Sequence, residues 1–283
     1  MRNFTFKGLL LTAVFMLLGC LSIQAADDDL ITKQITVKLD KTGTLPNMIT
    51  SSEMYKITNL KIIGEINGTD FRMIREMAGR DYRGDVTEGN LSVLDLSEAK
   101  IVEGGDYYYS SFTDYKVYTS NDEIGEYAFH DCSGLTSLTL PAGITSIGSR
   151  AFSYCHELTS LTLPDGITYI GGEAFYGCSG LTSLYVYAEK VPGIGSDAFK
   201  GCDAKKCILY VPKGTYDDYW LYDFGYFENI VEFDAPGIDK TTTSTDVEEV
   251  SRYSVNGQRL VGPTKGLNIV KYSDGSVKTV AAL

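Results

Sequence analysis

The sequence predicts a repeat solenoid: short coils that each add one strand to a parallel β-sheet. Three observations carry this. Ile-Gly recurs with its isoleucine at 124, 147, 170 and 194, Ala-Phe recurs ending at Phe129, Phe152, Phe175 and Phe199, and cysteine recurs at 132, 155, 178 and 202. Every column steps by 23, 23 and 24 residues, so the period belongs to a structural unit and not to one motif. Within each period an L-x-x-L-x-L strand pattern returns, at Leu135, Leu138, Leu140, then Leu158, Leu161, Leu163, then Leu181, Leu184, Val186. A period in the twenties with that pattern predicts a leucine-rich repeat solenoid.

The elements of one coil follow in order. Ile144, Ile147, Phe152 and Cys155 point inward with the leucines and stack on their equivalents one strand spacing away, ~4.8 Å. One coil cannot bury its apolar side alone, whereas stacked coils make a continuous core. Pro141, Pro164 and Pro212 end the strand because proline donates nothing to a ladder. Gly125, Gly148, Gly171 and Gly195 are expected to supply the turn after isoleucine. Upstream, Leu60-Lys61-Ile62 and Leu91 to Leu96 read as strands of larger, irregular coils. Thr69 to Ala78 reads as a short helix with Thr69 as N-cap and Gly79 as stop. Residues 30–120 are therefore an irregular N-terminal part of the same solenoid, and 121–233 hold the regular repeats with their C-terminal cap. Residues 234–249 are acidic, threonine-rich and nearly free of large apolar side chains, which predicts a linker. Residues 250–283 carry Asn256-Gly257 and Asp274-Gly275 between apolar strands, the signature of a small β module.

The first residues read as an address. Arg2 and Lys7 precede the apolar run Leu9 to Leu18, which is too short to span a bilayer and is soon followed by Asp27-Asp28-Asp29. Two cleavage readings stand: small-residue cleavage near Ala25 or Ala26, giving a signal peptide of residues 1–25, or a lipobox-like Leu17-Leu18-Gly19-Cys20, giving a lipoprotein signal of residues 1–19 and a lipidated Cys20. Either predicts export to the cell surface, the outer membrane, or the medium.

With 283 residues, 43% hydrophobic and 22% charged, there is ample chain for a core. The formal net charge of −12 opposes phosphate-tracking, so nucleic acid is excluded as a partner class, and an anionic membrane surface is disfavoured by the same sign. Membrane contact is expected only through a lipid at Cys20.

The I-G-x-x-A-F-x-x-C-x-x-L-T-S-L-x-L-P pattern resembles the BspA-like leucine-rich repeat of bacterial cell-surface proteins, clearly over Ile124 to Pro212. The stretch Val211 to Gly214 through Phe227 to Val231 is similar to the end of such arrays. The resemblance implies adhesion to host or bacterial surface proteins, with no shared binding motif. The last 34 residues resemble small C-terminal β modules of secreted proteins of gut and oral anaerobes, some of them sorting signals, although Val280-Ala281-Ala282-Leu283 lacks their basic finish.

No catalytic, cofactor or metal constellation assembles. His156-Glu157 begins an H-E-x-x-H motif that Ser160 breaks. Gly193 to Ala198 spells G-x-G-x-x-A, but Ile194-Gly195 is the repeat's own column. Export leaves Cys132, Cys155, Cys178, Cys202 and Cys207, an odd number without zinc spacing, so Cys132, Cys155 and Cys178 are expected as buried thiols. Two surfaces could bind. The strand face, Thr136, Ser137, Thr139, Thr159, Ser160, Thr162, Thr182, Ser183 and Tyr185, is a hydroxyl ladder suited to protein partners, although Thr and Ser are also ordinary solvated strand residues. Tyr107, Tyr108, Tyr109, Tyr115 and Tyr118, with Phe112 beside them, are a candidate glycan contact. A second aromatic cluster, Tyr216 to Phe227, is expected to cap the open end of the array. The expected function is non-enzymatic adhesion or protein binding. Glycan binding through the tyrosines is the alternative, and an exported enzyme of unrecognised type is a more distant one.

Overall fold

The computed structural model describes residues 30–221 and 223–234, and the backbone of four further strands between 249 and 282. The expected leader with Cys20, and most of the expected linker, lie outside the described residues. The elements run β1 (Ile35–Lys38), α1 (Leu45–Met48), β2 (Asn59–Ile66), α2 (Gly68–Met77), β3 (Val93–Ile101), β4 (Gly104–Ser110), β5 (Lys116–Thr119), β6 (Glu123–Ile124), β7 (Ser137–Thr139), β8 (Ser146–Ile147) and β9 (Ser160–Leu163). They continue with β10 (Tyr169–Ile170), β11 (Ser183–Val186), β12 (Gly193–Ile194), β13 (Ile208–Pro212), α3 (Tyr216–Leu221), a 3-10 turn at Asp223–Tyr226 and β14 (Asn229–Phe233). Last come β15 (Glu249–Ser254), β16 (Arg259–Leu260), β17 (Gly266–Tyr272) and β18 (Val277–Ala282).

The chain folds as a leucine-rich repeat solenoid. One eight-stranded sheet, ordered β1-β2-β3-β7-β9-β11-β13-β14, is parallel throughout. A second sheet of two-residue strands, β12-β10-β8-β6, runs down another side of the same coils and pairs Ile124, Ile147, Ile170 and Ile194 in one row. Between the sheets lies the core. Phe129, Phe152, Phe175 and Phe199 form a stack with centroids 5.5, 5.2 and 5.3 Å apart and planes within 7°. The centroid spacing is close to one strand spacing, as expected when identical side chains occupy identical places in successive coils.

Both ends of the stack are covered. Phe71 of α2 tilts onto Phe129 at 5.7 Å, and Phe224 and Phe227 close on Phe199. Tyr219 is fully buried and its hydroxyl donates to the Ala188 carbonyl at 2.6 Å. The second aromatic cluster therefore caps the array, while Tyr216, Trp220 and Tyr226 stay exposed at its rim.

Helix α2 corrects one expectation. Its N-cap is Asn67, not Thr69: Asn67 and Asp70 form a reciprocal capping box, and the helix ends at Met77 with Ala78 as its C-cap. Asp70, fully buried, also accepts from the Gly43 and Leu45 amides, so one carboxylate holds the helix start and the preceding loop. At the other end Arg75, equally buried, donates to the carbonyls of Tyr127, Ala128 and Asp81 and joins the helix to the first regular coil.

The glycines after isoleucine also differ from expectation. Among Gly125, Gly148, Gly171 and Gly195, none has a positive φ. The left-handed positions fall two residues later, at Tyr127, Arg150, Glu173 and Asp197, with φ of 55–57°. The glycines are there because the coils touch: a Cβ on Gly171 would lie 2.4 Å from the Ser149 nitrogen, and one on Gly148 2.4 Å from the Glu126 nitrogen. The C-terminal strands form a separate antiparallel sheet, β16-β15-β17-β18, and both expected hairpin turns lie outside the described residues.

Candidate functional site

The outward side chains of the eight-stranded sheet line up in rows because the register is constant. Ser137, Ser160 and Ser183 pair along one row, and Thr162, Tyr185 and Tyr210 along the next. The nine expected residues divide by chemistry. The hydroxyls of Thr136, Thr159 and Thr182 donate to the carbonyls of Ser92, Thr136 and Thr159, each one coil back. These three clamp coil to coil and offer no donor outward. Ser137, Thr139, Ser160, Thr162 and Ser183 make no side-chain hydrogen bond among the described residues, so their hydroxyls face water.

The face changes character along the solenoid. At its N-terminal end Lys61 sits between Asp95 at 3.3 Å and Glu98 at 2.7 Å. At its C-terminal end the hydroxyls give way to rings: Tyr185 stacks on Tyr210 at 4.3 Å and 5°, and Phe233 meets Tyr185 and Tyr187 edge-on. Burial, with the neighbouring Tyr210, pushes the Tyr185 phenol up to about 12. Of this aromatic end, sequence reasoning found Tyr185 and missed Tyr187, Tyr210 and Phe233. The signal existed, since Leu184-Tyr185-Val186 matches Leu209-Tyr210-Val211, but the step there is 25 residues and leaves the period.

The expected tyrosine contact is not one surface. Alternation along β4 sends Tyr108 inward, where it is 1% exposed, packs on Phe71 and donates to the Glu126 carbonyl. It is core, which corrects its place in the glycan set. Tyr109 stacks on Tyr127 at 4.3 Å, and Tyr115 reaches Glu126 with its hydroxyl. Tyr107 meets Tyr118 and Tyr82 edge-on, and this group opens to solvent. Phe112, at the hairpin tip, is wholly exposed.

The five described cysteines are free and buried. Their column has a specific partner: Cys155, Cys178 and Cys202 point their thiols at the carbonyls of Phe129, Phe152 and Phe175, at 3.1, 3.0 and 3.3 Å. Burial raises all five thiols, Cys132 from 9.0 to about 11 and Cys178 and Cys207 to about 12. The folded state keeps these protons to higher pH than the unfolded chain does. Their contribution to stability is therefore complete below pH ~9 and is lost as pH rises towards 11–12. Two results are expected: denaturant midpoints falling steeply above pH ~9, and all five thiols resisting iodoacetamide at about pH 8 until the protein is unfolded. Rapid labelling of native Cys155 would show the column to be accessible.

His156 Nδ1 lies 3.5 Å from Ser179 Oγ, both exposed, and no carboxylate among the described residues bonds its other nitrogen. His130 packs among Tyr109, Tyr127 and Tyr154, where burial lowers its pKa. A Cβ on Gly195 would meet the Gly172 nitrogen at 2.3 Å, so the G-x-G-x-x-A segment serves coil packing. Among the described residues no helix is long and apolar enough to cross a membrane.

Residues 100–218 match the family model of the BspA-type leucine-rich repeat region, in six copies. A leucine-rich repeat protein from Bacteroides ovatus, known from a crystal structure, is similar at 20% identity with a TM-score of 0.35. The match covers 71% of this chain and 42% of that one, so this chain spans less than half of that protein. No curated protein matches the chain.

Proposed function

With residues 100–218 forming a BspA-type leucine-rich repeat region, we propose that the chain is a non-enzymatic, exported surface protein that binds other proteins in adhesion through its strand face. One observation carries this: the sheet face presents Ser137, Thr139, Ser160, Thr162 and Ser183 in register, with hydroxyls committed to nothing else among the described residues. Such a face supplies regularly spaced donors and acceptors, and Tyr185 and Tyr210 beside it add rigid apolar area at small entropic cost. The pairing of export with this face rests on the apolar run Leu9 to Leu18 behind Arg2 and Lys7. The absence of catalysis is argued from chemistry: the five described thiols are buried with raised pKa values, and the Ser179–His156 contact has no orienting carboxylate among the described residues.

The test is binding of the purified chain to immobilised extracellular-matrix proteins and to whole bacterial cells. Thr139 and Thr162 are exposed, so T139K/T162K leaves the core intact. It should weaken binding by ~10-fold or more through unpaired charge in the contact, with the thermal midpoint unchanged. Undiminished binding by that variant would move the partner to another surface.

A further inference from the structure

We propose a second binding site, apart from the strand face and independent of it, that takes an acidic polysaccharide carrying uronate or sulfate groups. It is built where helix α2, the 80–86 loop and the β4–β5 hairpin converge. Arg72 of α2 lies 3.7 Å over the ring of Tyr82 and 5.5 Å from that of Tyr107. Arg83 lies 5.3 Å from the Tyr82 ring, and Lys116 of β5 lies 5.2 Å from the Tyr107 ring. Tyr107 stands edge-on between Tyr82 at 5.5 Å and Tyr118 at 6.2 Å.

The charge points to an anion. In a chain with 37 acidic and 25 basic residues, an exposed cation is expected to find a carboxylate. Among the described residues the side chains of Arg72 and Arg83 make no ion pair or hydrogen bond with one; they rest on ring faces instead. Lys116 pairs with Asp114 at 3.3 Å, but that carboxylate is largely exposed and the pair is easily exchanged. Glu76, one turn from Arg72, is partly buried; burial raises its carboxyl pKa while Arg72 acts to lower it, and the two side chains form no ion pair. Ring faces hold the guanidinium of Arg72 in place, and a guanidinium fixed in this way binds a carboxylate or sulfate through two parallel bonds.

The rings point to a sugar. Tyr118 is 51% exposed, and the hydroxyls of Tyr82, Tyr107 and Tyr118 have no hydrogen-bond partner among the described residues. A pyranose needs both things, a flat apolar surface for its C–H face and polar groups at the ring edge. An acidic peptide would use the cations and have no need of Tyr118.

The experiment titrates the full chain, by calorimetry, with polygalacturonate, chondroitin sulfate, dextran and poly-L-glutamate. The expected result is binding to one or both acidic polysaccharides, none to dextran, and affinity that falls as ionic strength rises from ~0.05 M to ~0.3 M. R72Q should weaken that binding ~10-fold, K116Q should weaken it less, and Y118A should weaken it roughly threefold without altering its salt dependence. K116Q and Y118A change exposed side chains, so they decide the matter even where R72Q loosens the helix. No binding to either acidic polysaccharide would overturn the proposal. Equal binding of poly-L-glutamate with indifference to Y118A would overturn it in favour of an acidic protein segment.

Discussion

Phe152→Ala should lower the unfolding free energy by ~3–5 kcal/mol, the range for emptying a buried aromatic site. Phe152 is fully buried between two parallel rings, Phe129 at 5.5 Å and Phe175 at 5.2 Å. The cavity would open in the middle of the stack, where coils on either side depend on it for their apolar cover. Neighbouring rings cannot collapse into the space without breaking the register of both sheets, so little of the loss is recovered. Urea denaturation followed by circular dichroism measures it. Phe112→Ala, at the exposed hairpin tip, is the control and should stay within ~0.5 kcal/mol. A Phe152→Ala midpoint equal to that of the control would place the phenylalanine column outside the core.

Gly171→Ala should cost about 3 kcal/mol, the upper end for overpacking, although it adds one methyl group. The new Cβ would lie 2.4 Å from the Ser149 nitrogen and 2.6 Å from the Gly148 carbonyl carbon. Both are backbone atoms of the neighbouring coil, so no side chain can swing aside and the coils must separate. Gly171 is closed to other residues by crowding and not by its φ. Gly134→Ala supplies the contrast: a Cβ there meets nothing within 4 Å, and the substitution should be close to neutral. Equal midpoints for the two alanine variants would contradict the coil spacing described above.

These two residues also show what was legible. Phe152 could be placed inside from its column alone, because a period repeated in several columns leaves each column one environment. Gly171 was found by the same period, but its reason was misread as a turn. Sequence spacing locates a residue along the chain and says nothing about which backbone passes beside it. The strand face was legible as a row of hydroxyls. Its division into Thr136, Thr159 and Thr182, which bond back to the previous coil, and the serines and threonines that do not, requires the carbonyl positions. The aromatic end at Tyr185, Tyr187, Tyr210 and Phe233 was only partly legible, because the repeat lengthens there.

By itself the sequence determined the class of fold, the parallel sheet, the inward columns of leucine, isoleucine, phenylalanine and cysteine, and the aromatic cap. The first three follow from local periodicity, since each inner coil buries its side chains against copies of itself, and the cap follows from the open apolar end that such stacking leaves. The tertiary structure alone decided the irregular N-terminal part: the Asn67–Asp70 capping box, the buried Arg75 held by three carbonyls, and the inward turn of Tyr108. It also decided that Arg72, Tyr82, Tyr107, Lys116 and Tyr118 share one surface. Those contacts join residues up to about fifty positions apart with no repeat to relate them, and such pairings are set by how the chain packs, not by any pattern along it.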